Sequence, residues 1–393
     1  MQVYLDHSAT TATDPRVVEK MMPYFTEIYG NASSQHTFGV DAAKAIEKAR
    51  MQVAKAIGAS PNEIYFTSGA TESDNMAIRG IVEAHSDKGK HIITTSIEHH
   101  AVIETCKMLE KKGYEVTYVK PQSDGIVTVE SIVEAMRDDT ILVSVMTANS
   151  EIGTIQPIRE IGAECRARKI YFHTDAVQAI GNIHVDVKED NVDLLAMSAH
   201  KFYGPKGVGA IYIRNGVRVG KLLVGGEQER KMRAGTYNTP AIVGMGEAIT
   251  LACEDVDGYS KKVKSLRDYM AHRIISEIPF CTINGTMKKR LPANLNVTFD
   301  YIEGESILLL LDMAGIAASS GSACSSGSLE PSHVLLSIGV PAERAHGSIR
   351  FTLGRENDKR QIDYAVDKLK EAVEKLREIS PLFKAEKGDK HNV

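Results

Sequence analysis

Short apolar segments alternate with helical patterns along much of the chain, and this alternation constrains the fold more than any other feature. Helical patterns fill most of the gaps between these segments; in one, apolar residues recur at helical spacing from Ile46 to Ile57 and stop at Gly58. Strands that alternate with helices predict an α/β fold with a mainly parallel sheet that is covered on both faces. The segments that we interpret as buried strands are 63–67, 91–94, 115–119, 141–146, 170–172, 194–197 and 209–213.

Chemically useful side chains follow five of these strands. Because ligands of such sheets bind beyond the carboxyl ends of the strands, we expect these side chains to share one site. Taken singly, Asp175 is as typical of a helix N-cap as of a ligand site. His99 on its own is typical of a buried core histidine. Together the segments offer donors, an imidazole, a carboxylate and an amine: Ser68–Glu72, Glu98–His100, Ala148–Glu151, His173–Gln178 and 198–207.

Lys201 directly follows the apolar strand 194–197, inside a run of donors and turn residues from Ser198 to Gly207. An amine in this place is partly desolvated, so its pKa can fall and it can attack a carbonyl carbon. Ser198 and His200 supply donors, and the glycines and proline favour a turn whose backbone N–H groups can face a phosphate. Pyridoxal phosphate, an aldehyde that carries a phosphate, satisfies both halves of this pattern. Alone, the run is also compatible with a surface lysine in a Gly-Pro turn.

Composition excludes several classes of protein. The chain has 393 residues, which is long enough for two domains, and its net charge of -4, with both signs mixed, argues against a nucleic-acid partner. No apolar stretch approaches the length of a membrane span, and no signal peptide is visible at the start. The five cysteines are widely separated, which argues against a disulfide framework and a zinc site. We therefore expect a cytoplasmic protein without a membrane, DNA or metal partner.

Motifs along nearly the whole chain resemble one enzyme family. The chain resembles the cysteine desulfurases of the NifS/IscS type, group I, within the class-V aminotransferase family of fold-type I pyridoxal-phosphate enzymes. This resemblance implies a large α/β domain with a mainly parallel seven-stranded sheet, residues 15–254. It also implies a smaller α+β domain, residues 1–14 and 255–393, that carries a catalytic cysteine loop. The motifs are residues 4–11, 29–36, 67–73, 233–236, 319–324 and 349–351.

The resemblance also implies roles for individual residues. Lys201 would bind the aldehyde of pyridoxal phosphate and later move the Cα proton of the substrate. Asp175 would pair with the pyridine nitrogen, Gln178 would bind the ring hydroxyl, and His99 would stack on the ring and act as an acid or base. The remaining groups would be Ala70, Thr71, Ser198 and His200 for the phosphate, Thr236 for the phosphate of the neighbouring subunit in a homodimer, and Asn149 and Arg350 for the substrate carboxylate.

Cys324 lies in a run of serine, alanine and glycine, residues 317–328. Such a run lacks bulky anchoring side chains, so we expect a mobile loop, which suits a nucleophile that must travel. By the resemblance, Cys324 would take the sulfur of L-cysteine as a persulfide and release L-alanine. The sulfur would then pass to an acceptor, such as an iron–sulfur cluster scaffold or the machinery of tRNA thiolation. The other four cysteines fall in helical or strand patterns and are expected to pack.

Two alternatives remain open at this point. Another fold-type I enzyme, such as an aminotransferase or a lyase acting on selenocysteine or cysteine sulfinate, would share the cofactor residues without needing Cys324. A non-catalytic scaffold that handles sulfur is disfavoured, since a scaffold has no use for the set of Lys201, Asp175 and His99. A dinucleotide-binding interpretation of residues 204–209 fails, because this segment does not fit the required glycine spacing and precedes a strand.

Overall fold

The computed structural model of the chain describes residues 1–320 and 330–384. The predicted nucleophile Cys324 lies outside the described residues. The strands are β1 (Val3–Tyr4), β2 (Ile64–Thr67), β3 (His91–Thr95), β4 (Glu115–Val119), β5 (Thr140–Ser144), β6 (Tyr171–Asp175), β7 (Leu194–Ser198), β8 (Gly209–Ile213), β9 (Cys281–Ile283), β10 (Asn294–Phe299), β11 (Ile316–Ala317) and β12 (Ser348–Thr352). The helices are α1 (Pro15–Met21), α2 (Pro23–Thr26), α3 (Thr37–Ala56), α4 (Ala70–Ala84), α5 (His100–Glu110), α6 (Val129–Ala135), α7 (Ile158–Ala167), α8 (Thr239–Cys253), α9 (Val256–Glu277), α10 (Gly304–Met313), α11 (His333–Ser337), α12 (Ala342–Ala345) and α13 (Lys359–Ile379).

The central sheet has seven strands in the order β2-β8-β7-β6-β5-β3-β4. Strands β3 to β7 run parallel to one another, and β8 runs antiparallel to both β2 and β7. The predicted α/β fold with a mainly parallel seven-stranded sheet is therefore confirmed. Several strand boundaries differ from the prediction by one to three residues. The difference that bears on the site is at Asp175, which is the last residue of β6 instead of following the strand, because pairing with β7 continues to Asp175 opposite Ala196.

Apolar cores lie on both faces of this sheet, as expected for a parallel sheet. On one face, Ile46, Val53 and Ile57 of the segment around α3 are at most 2% exposed. The apolar spacing of that segment thus predicts its buried side, and Gly58 ends it with a φ of 70°. The other face is covered by α4 and α5, whose buried residues include Met76, Ile78, Ile81, Val102 and Leu109.

A separate core forms around the three-stranded antiparallel sheet β9-β10-β12. Helices α9, α10 and α13 contribute to it, and so do Val3 and Leu5 from the start of the chain. Strand β1 pairs in parallel with β11, which binds the first residues to the C-terminal part. These contacts support a smaller domain made of both ends of the chain; the boundaries 1–14 and 255–393 remain our proposal.

A buried ion pair connects α3 to the segment that follows β8. Two guanidinium nitrogens of Arg50 donate to the two carboxylate oxygens of Glu229 at 2.7 and 2.9 Å, and Phe66 N donates to the same carboxylate at 3.0 Å. Glu229, Arg230 and Lys231 have positive φ angles of 46°, 54° and 69°. Because each such residue costs about 1–3 kcal/mol, surrounding contacts must hold this segment in place. The Arg50–Glu229 pair is the contact that does so at its first residue.

Candidate active site

A cavity of about 630 Å³ opens at the carboxyl ends of the parallel strands. This cavity lies where the strand-end rule predicts a ligand site. Two predicted residues lie elsewhere: Thr236 is exposed and Asn149 is buried outside the lining, whereas Cys324 belongs to the undescribed segment. The predicted residues that line the cavity are Ala70, Thr71, His99, Asp175, Gln178, Ser198, His200, Lys201 and Arg350.

Lys201 ends a single helical turn that follows β7, and its amine points at the start of the chain. The Nζ atom donates to the carbonyl oxygens of Ser8 at 2.5 Å and Ala9 at 2.8 Å. The Nε2 atom of Gln178 donates to the same Ser8 carbonyl at 3.0 Å. The N-terminal segment therefore forms one wall of the cavity and holds the amine at its edge.

The N-terminus of α4 forms a cradle for an anion. Gly69 precedes the helix and has no side chain with which to cap it, and the first residues of α4, Ala70 and Thr71, line the cavity with their backbone N–H groups unpaired within the helix. The turn sits close against β8, where a Cβ on Gly209 would lie 2.7 Å from the Cα of Gly69. Only glycine at position 209 permits this approach. Ser198, at the end of β7, lines the cavity beside the turn and adds a hydroxyl.

His200 completes this side of the cavity. Its Nδ1 atom lies 3.1 Å from the hydroxyl of Thr10. Burial, with the nearby ammonium groups of Lys201 and Lys206, lowers the pKa of His200 to about 4. The imidazole is therefore neutral at neutral pH and contributes hydrogen bonding, and not charge, to an anion in the cradle.

Asp175 and His99 face the same space from neighbouring elements. Asp175 is buried and accepts a hydrogen bond from Val177 N at 2.9 Å, and no helix follows it. Burial raises the pKa of Asp175, and the nearby His99 and Lys201 oppose that rise. His99 is itself the N-cap of α5, since its Nδ1 accepts from Ala101 N at 3.1 Å. In the neutral ring the proton is therefore on Nε2.

Arg350 reaches the cavity from β12 with part of its guanidinium already bound. Its Nη2 donates to Asp6 at 2.9 Å and its Nη1 to the carbonyl of Ser150 at 3.2 Å, while the buried Nε has no hydrogen-bond partner within the described residues. The backbone N–H of Arg350 also donates to Ser319 at 2.7 Å. Ser319 therefore lies beside Arg350, the residue that we expect to bind the substrate.

Asn149 is fully engaged in the local backbone. Its amide nitrogen donates to the carbonyl of Ile97 at 2.8 Å, and its oxygen accepts from Glu151 N and Ile152 N, both at 2.9 Å. These bonds shape the loop that carries Ser150 toward Arg350. A direct contact between Asn149 and a substrate would require their exchange, so that role stays a prediction.

Two buried carboxyl groups near the cavity, those of Glu98 and Asp74, have no role implied by the family resemblance. Glu98 accepts hydrogen bonds from the Thr95 hydroxyl at 2.7 Å and Met146 N at 2.9 Å, and burial raises its pKa to about 8. Asp74 is 1% exposed and lines the cavity from the middle of α4. In the sequence, Asp74 is notable only because helical spacing places it on the same face as the apolar residues Ala77 and Ile78.

The residues of the cavity fit pyridoxal phosphate. The uncapped helix N-terminus with Ser198 suits a phosphate, and the Lys201 amine suits an aldehyde. The buried carboxyl of Asp175 suits a basic ring nitrogen. A cavity of about 630 Å³ is of the size that holds small ligands.

Comparison with known sequences shows one family over nearly the whole chain. Residues 3–365 match the class-V aminotransferases. A protein of Clostridium botulinum (strain Hall) named cysteine desulfurase IscS is 55% identical over 384 residues, which cover 97% of each chain. The protein of the same name from Methanosarcina thermophila is 55% identical over 380 residues, which cover 97% of this chain and 94% of that protein.

Solved structures agree with this family. A structure described as a NifS-like protein superimposes with a TM-score of 0.90 at 40% identity, covering 96% of this chain and 100% of that one. A structure described as SspA in complex with cysteine has a TM-score of 0.80 at 35% identity, covering 90% of this chain and 99% of that one.

The raised pKa of Glu98 predicts a pH-dependent stability. The folded protein holds the Glu98 proton up to pH about 8, whereas the unfolded chain releases it near the ordinary value of 4.5. The folded state therefore binds more protons in this window, and the free energy of unfolding falls as the pH rises through it. Replacing Glu98→Gln should flatten that fall, because a glutamine keeps the acceptor oxygen and does not ionise. Urea unfolding of both proteins at pH 5 and pH 8.5 measures the effect.

The matched control is Glu104→Gln, since Glu104 is exposed and pairs with Lys107 on the surface of α5. This variant should keep the wild-type pH dependence. An equal fall in stability for wild type and Glu98→Gln would show that Glu98 ionises freely in the folded protein.

Proposed function

The chain belongs to the class-V aminotransferase family, and from this premise we propose how its cavity removes sulfur from L-cysteine. It is a pyridoxal-phosphate-dependent cysteine desulfurase, as its relatives named cysteine desulfurase IscS indicate at up to 55% identity over 97% of the chain. The observation that carries the site assignment is the convergence of Lys201, Asp175 and the α4 N-terminus on one cavity.

Pyridoxal phosphate, when bound, supplies an electrophilic aldehyde carbon and a ring that accepts the electron pair released at the substrate Cα. We assign its phosphate to the α4 N-terminus with Thr71, Ser198 and His200, and its aldehyde to Lys201. Asp175 would hold the ring nitrogen protonated, and His99 would contact the ring and serve as an acid or base. Gln178 binds the ring hydroxyl. These assignments use side chains that line one cavity.

Arg350 positions the substrate by its carboxylate. Asp6 and Ser150 use one N–H each of the two terminal nitrogens, so a second N–H on each remains for the substrate. The Lys201 amine then takes the Cα proton. The Cys324 thiolate attacks the sulfur of L-cysteine: a sulfur–sulfur bond forms, the carbon–sulfur bond breaks, and that carbon receives a proton. The Lys201 ammonium returns a proton to Cα, L-alanine leaves, and the persulfide stays on Cys324.

We propose that the protein is a homodimer in which Thr236 binds the phosphate of the partner's site. Thr236 is exposed and outside its own cavity. An exposed apolar patch on residues 22–38 supports an interface, because Met22, Phe25 and Tyr29 are 55%, 56% and 65% exposed. A monomer mass in sedimentation equilibrium at micromolar concentration would contradict this.

We further propose that the acceptor of the sulfur is a protein such as an iron–sulfur cluster scaffold, and that the enzyme works in the cytoplasm. Among the helices of residues 1–320 and 330–384, none has the length and apolar character needed to cross a bilayer. Cys106, Cys165, Cys253 and Cys281 are free thiols, which supports a reducing compartment. Cell fractionation tests the compartment, and co-purification from the cytoplasmic fraction tests the acceptor.

Lys201→Ala should abolish turnover and the absorbance of lysine-bound cofactor, because the variant lacks the amine that the turn after β7 places at the cavity. Lys206 lines the same cavity and gives a matched control. Lys206→Ala should keep the covalent link, although it removes one positive charge near the phosphate. Borohydride reduction followed by peptide mass spectrometry locates the link. Pyridoxal found on Lys206, or on any other lysine of the wild type, would refute the assignment.

Cys324→Ser should bind cofactor and L-cysteine, and its spectrum should still change on adding substrate. It should form neither persulfide nor alanine, because a serine hydroxyl is a far weaker nucleophile toward sulfur at neutral pH. Cys253→Ser serves as the control, since Cys253 is a half-buried thiol of α8. Mass spectrometry after alkylation locates the extra sulfur, and an amino-acid assay measures alanine.

The same assay separates the alternatives. A desulfurase forms alanine without a keto acid and needs Cys324, whereas an aminotransferase needs a keto-acid acceptor. A lyase acting on selenocysteine or cysteine sulfinate would keep its activity in Cys324→Ser. An extra sulfur on any other cysteine, or full alanine production by the variant, would overturn the mechanism.

A further inference from the structure

Asp74 is a buried acid without the partners that a buried carboxylate requires. It lies in the middle of α4 and is 1% exposed, and neither of its carboxyl oxygens has a hydrogen-bond partner within the described residues. Its Oδ1 lies 3.5 Å from Nε2 of His173, which also lacks a hydrogen bond there. The Nδ1 of His173 is 2.8 Å from the Ser144 hydroxyl. Asp74 is too far into the helix to act as a cap, so capping does not explain it.

Asp74 and His173 are best described as two neutral groups. A buried ion pair is stable only with close geometry and with further hydrogen bonds to the remaining polar atoms. This pair has a long contact of 3.5 Å, and its one further hydrogen bond, between His173 Nδ1 and Ser144, leaves both Asp74 oxygens and His173 Nε2 without a hydrogen bond within the described residues. Burial also lowers the pKa of His173 to about 3 and raises that of Asp74 well above its ordinary value. A carboxylic acid at Asp74 can rotate its O–H toward His173.

Two other acids lie near Asp74, and one of them, Asp175, lines the same cavity. Asp175 at the end of β6 and Glu98 after β3 both oppose its ionisation, and burial opposes it most. His99 and Lys201, which line the same cavity, instead favour the ionised form of Asp175. One negative charge is therefore stable on Asp175 and a second beside it is not. Two carboxyl groups that cannot both ionise divide the roles of acid and anion.

We propose that Asp74 is a positioning residue that stays a neutral carboxylic acid and thereby confines the negative charge on this side of the cavity to Asp175. This inference rests on the proposed role of Asp175 toward the ring nitrogen. The Asp74 side chain needs no contact with cofactor or substrate for this purpose. It acts through Asp175, because an anionic Asp74 would push a proton onto that carboxyl and weaken its hold on the ring proton.

Infrared spectroscopy of the purified protein tests the charge of Asp74 without any turnover. Wild-type protein labelled with ¹³C-aspartate should show, at pH 7.5, one carbonyl band of a protonated aspartic acid that shifts in D₂O. The isotope separates it from the buried glutamic acids Glu98 and Glu151. The band should be absent in Asp74→Asn, a variant of equal size whose folding is checked by its melting temperature. Cofactor-loaded and cofactor-free samples are compared.

The decisive readout is the pH at which this band disappears. In Asp175→Asn the neighbouring negative charge is gone, so the Asp74 band should disappear at a lower pH than in wild type. A neutral acid with only a packing role would titrate identically in both proteins, and that result would overturn the proposal. So would a band that disappears in Asp175→Asn at every pH, since the proton would then belong to Asp175.

The absorbance of the bound cofactor gives a second, independent measurement. Asp74→Asn should leave the pH midpoint of the cofactor's absorbance change unmoved, because one neutral group replaces another. A lower midpoint would mean that a negative charge had been removed, which would refute a neutral Asp74. Turnover of Asp175→Asn tests the role of Asp175 separately: full activity there removes the premise, whereas the infrared result for Asp74 stands on its own.

Discussion

The common direction of β3, β5, β6 and β7 is the constraint on which the site depends. Each of these strands is buried along almost its whole length, and each ends at the same edge of the sheet. The parallel pairing places the residues that follow them within one cavity, although they are separated by tens of positions in the chain. The functional groups then need no further long-range organisation. Local turns, such as the uncapped start of α4 and the single turn that ends at Lys201, aim them.

The N-terminal segment closes this edge. Carbonyl groups of Ser8 and Ala9 receive the Lys201 ammonium, and Thr11 donates its hydroxyl to the carbonyl of His200 at 2.9 Å. Asp6 meanwhile binds Arg350. A few residues at the start of the chain thus contact both the amine expected to bind cofactor and the arginine expected to bind substrate. Anything that displaces this segment would disturb both groups together.

Position along the sheet was predictable from the sequence, whereas the state of individual side chains was not. Lys201 and Asp175 follow or end short apolar strands, and an amine and a carboxylate in such places have few other interpretations. Helix capping is an example. Aspartate caps helices more often than histidine does, yet His99 caps α5 and Asp175 caps no helix. Asn149 looked free to bind a ligand, but its amide is bound by the backbone of its own loop. For Asp74 the sequence shows only a polar residue on an apolar helix face, and not that its carboxyl group lies 3.5 Å from His173.

The strained segment at Glu229 connects the folding of the core to the surface that carries Thr236. Glu229 keeps its left-handed backbone because its carboxylate is bound by Arg50 of α3 and by Phe66 N of β2, and its own N–H donates to the Tyr237 hydroxyl at 2.8 Å. The Arg50 contact requires that α3 is packed on the sheet, and the Phe66 contact requires β2. The shape of the segment therefore depends on the packing of the interior beneath it. In the homodimer that we propose, a subunit with an unfinished core would present the wrong surface to its partner, so pairing itself would select for correctly folded subunits.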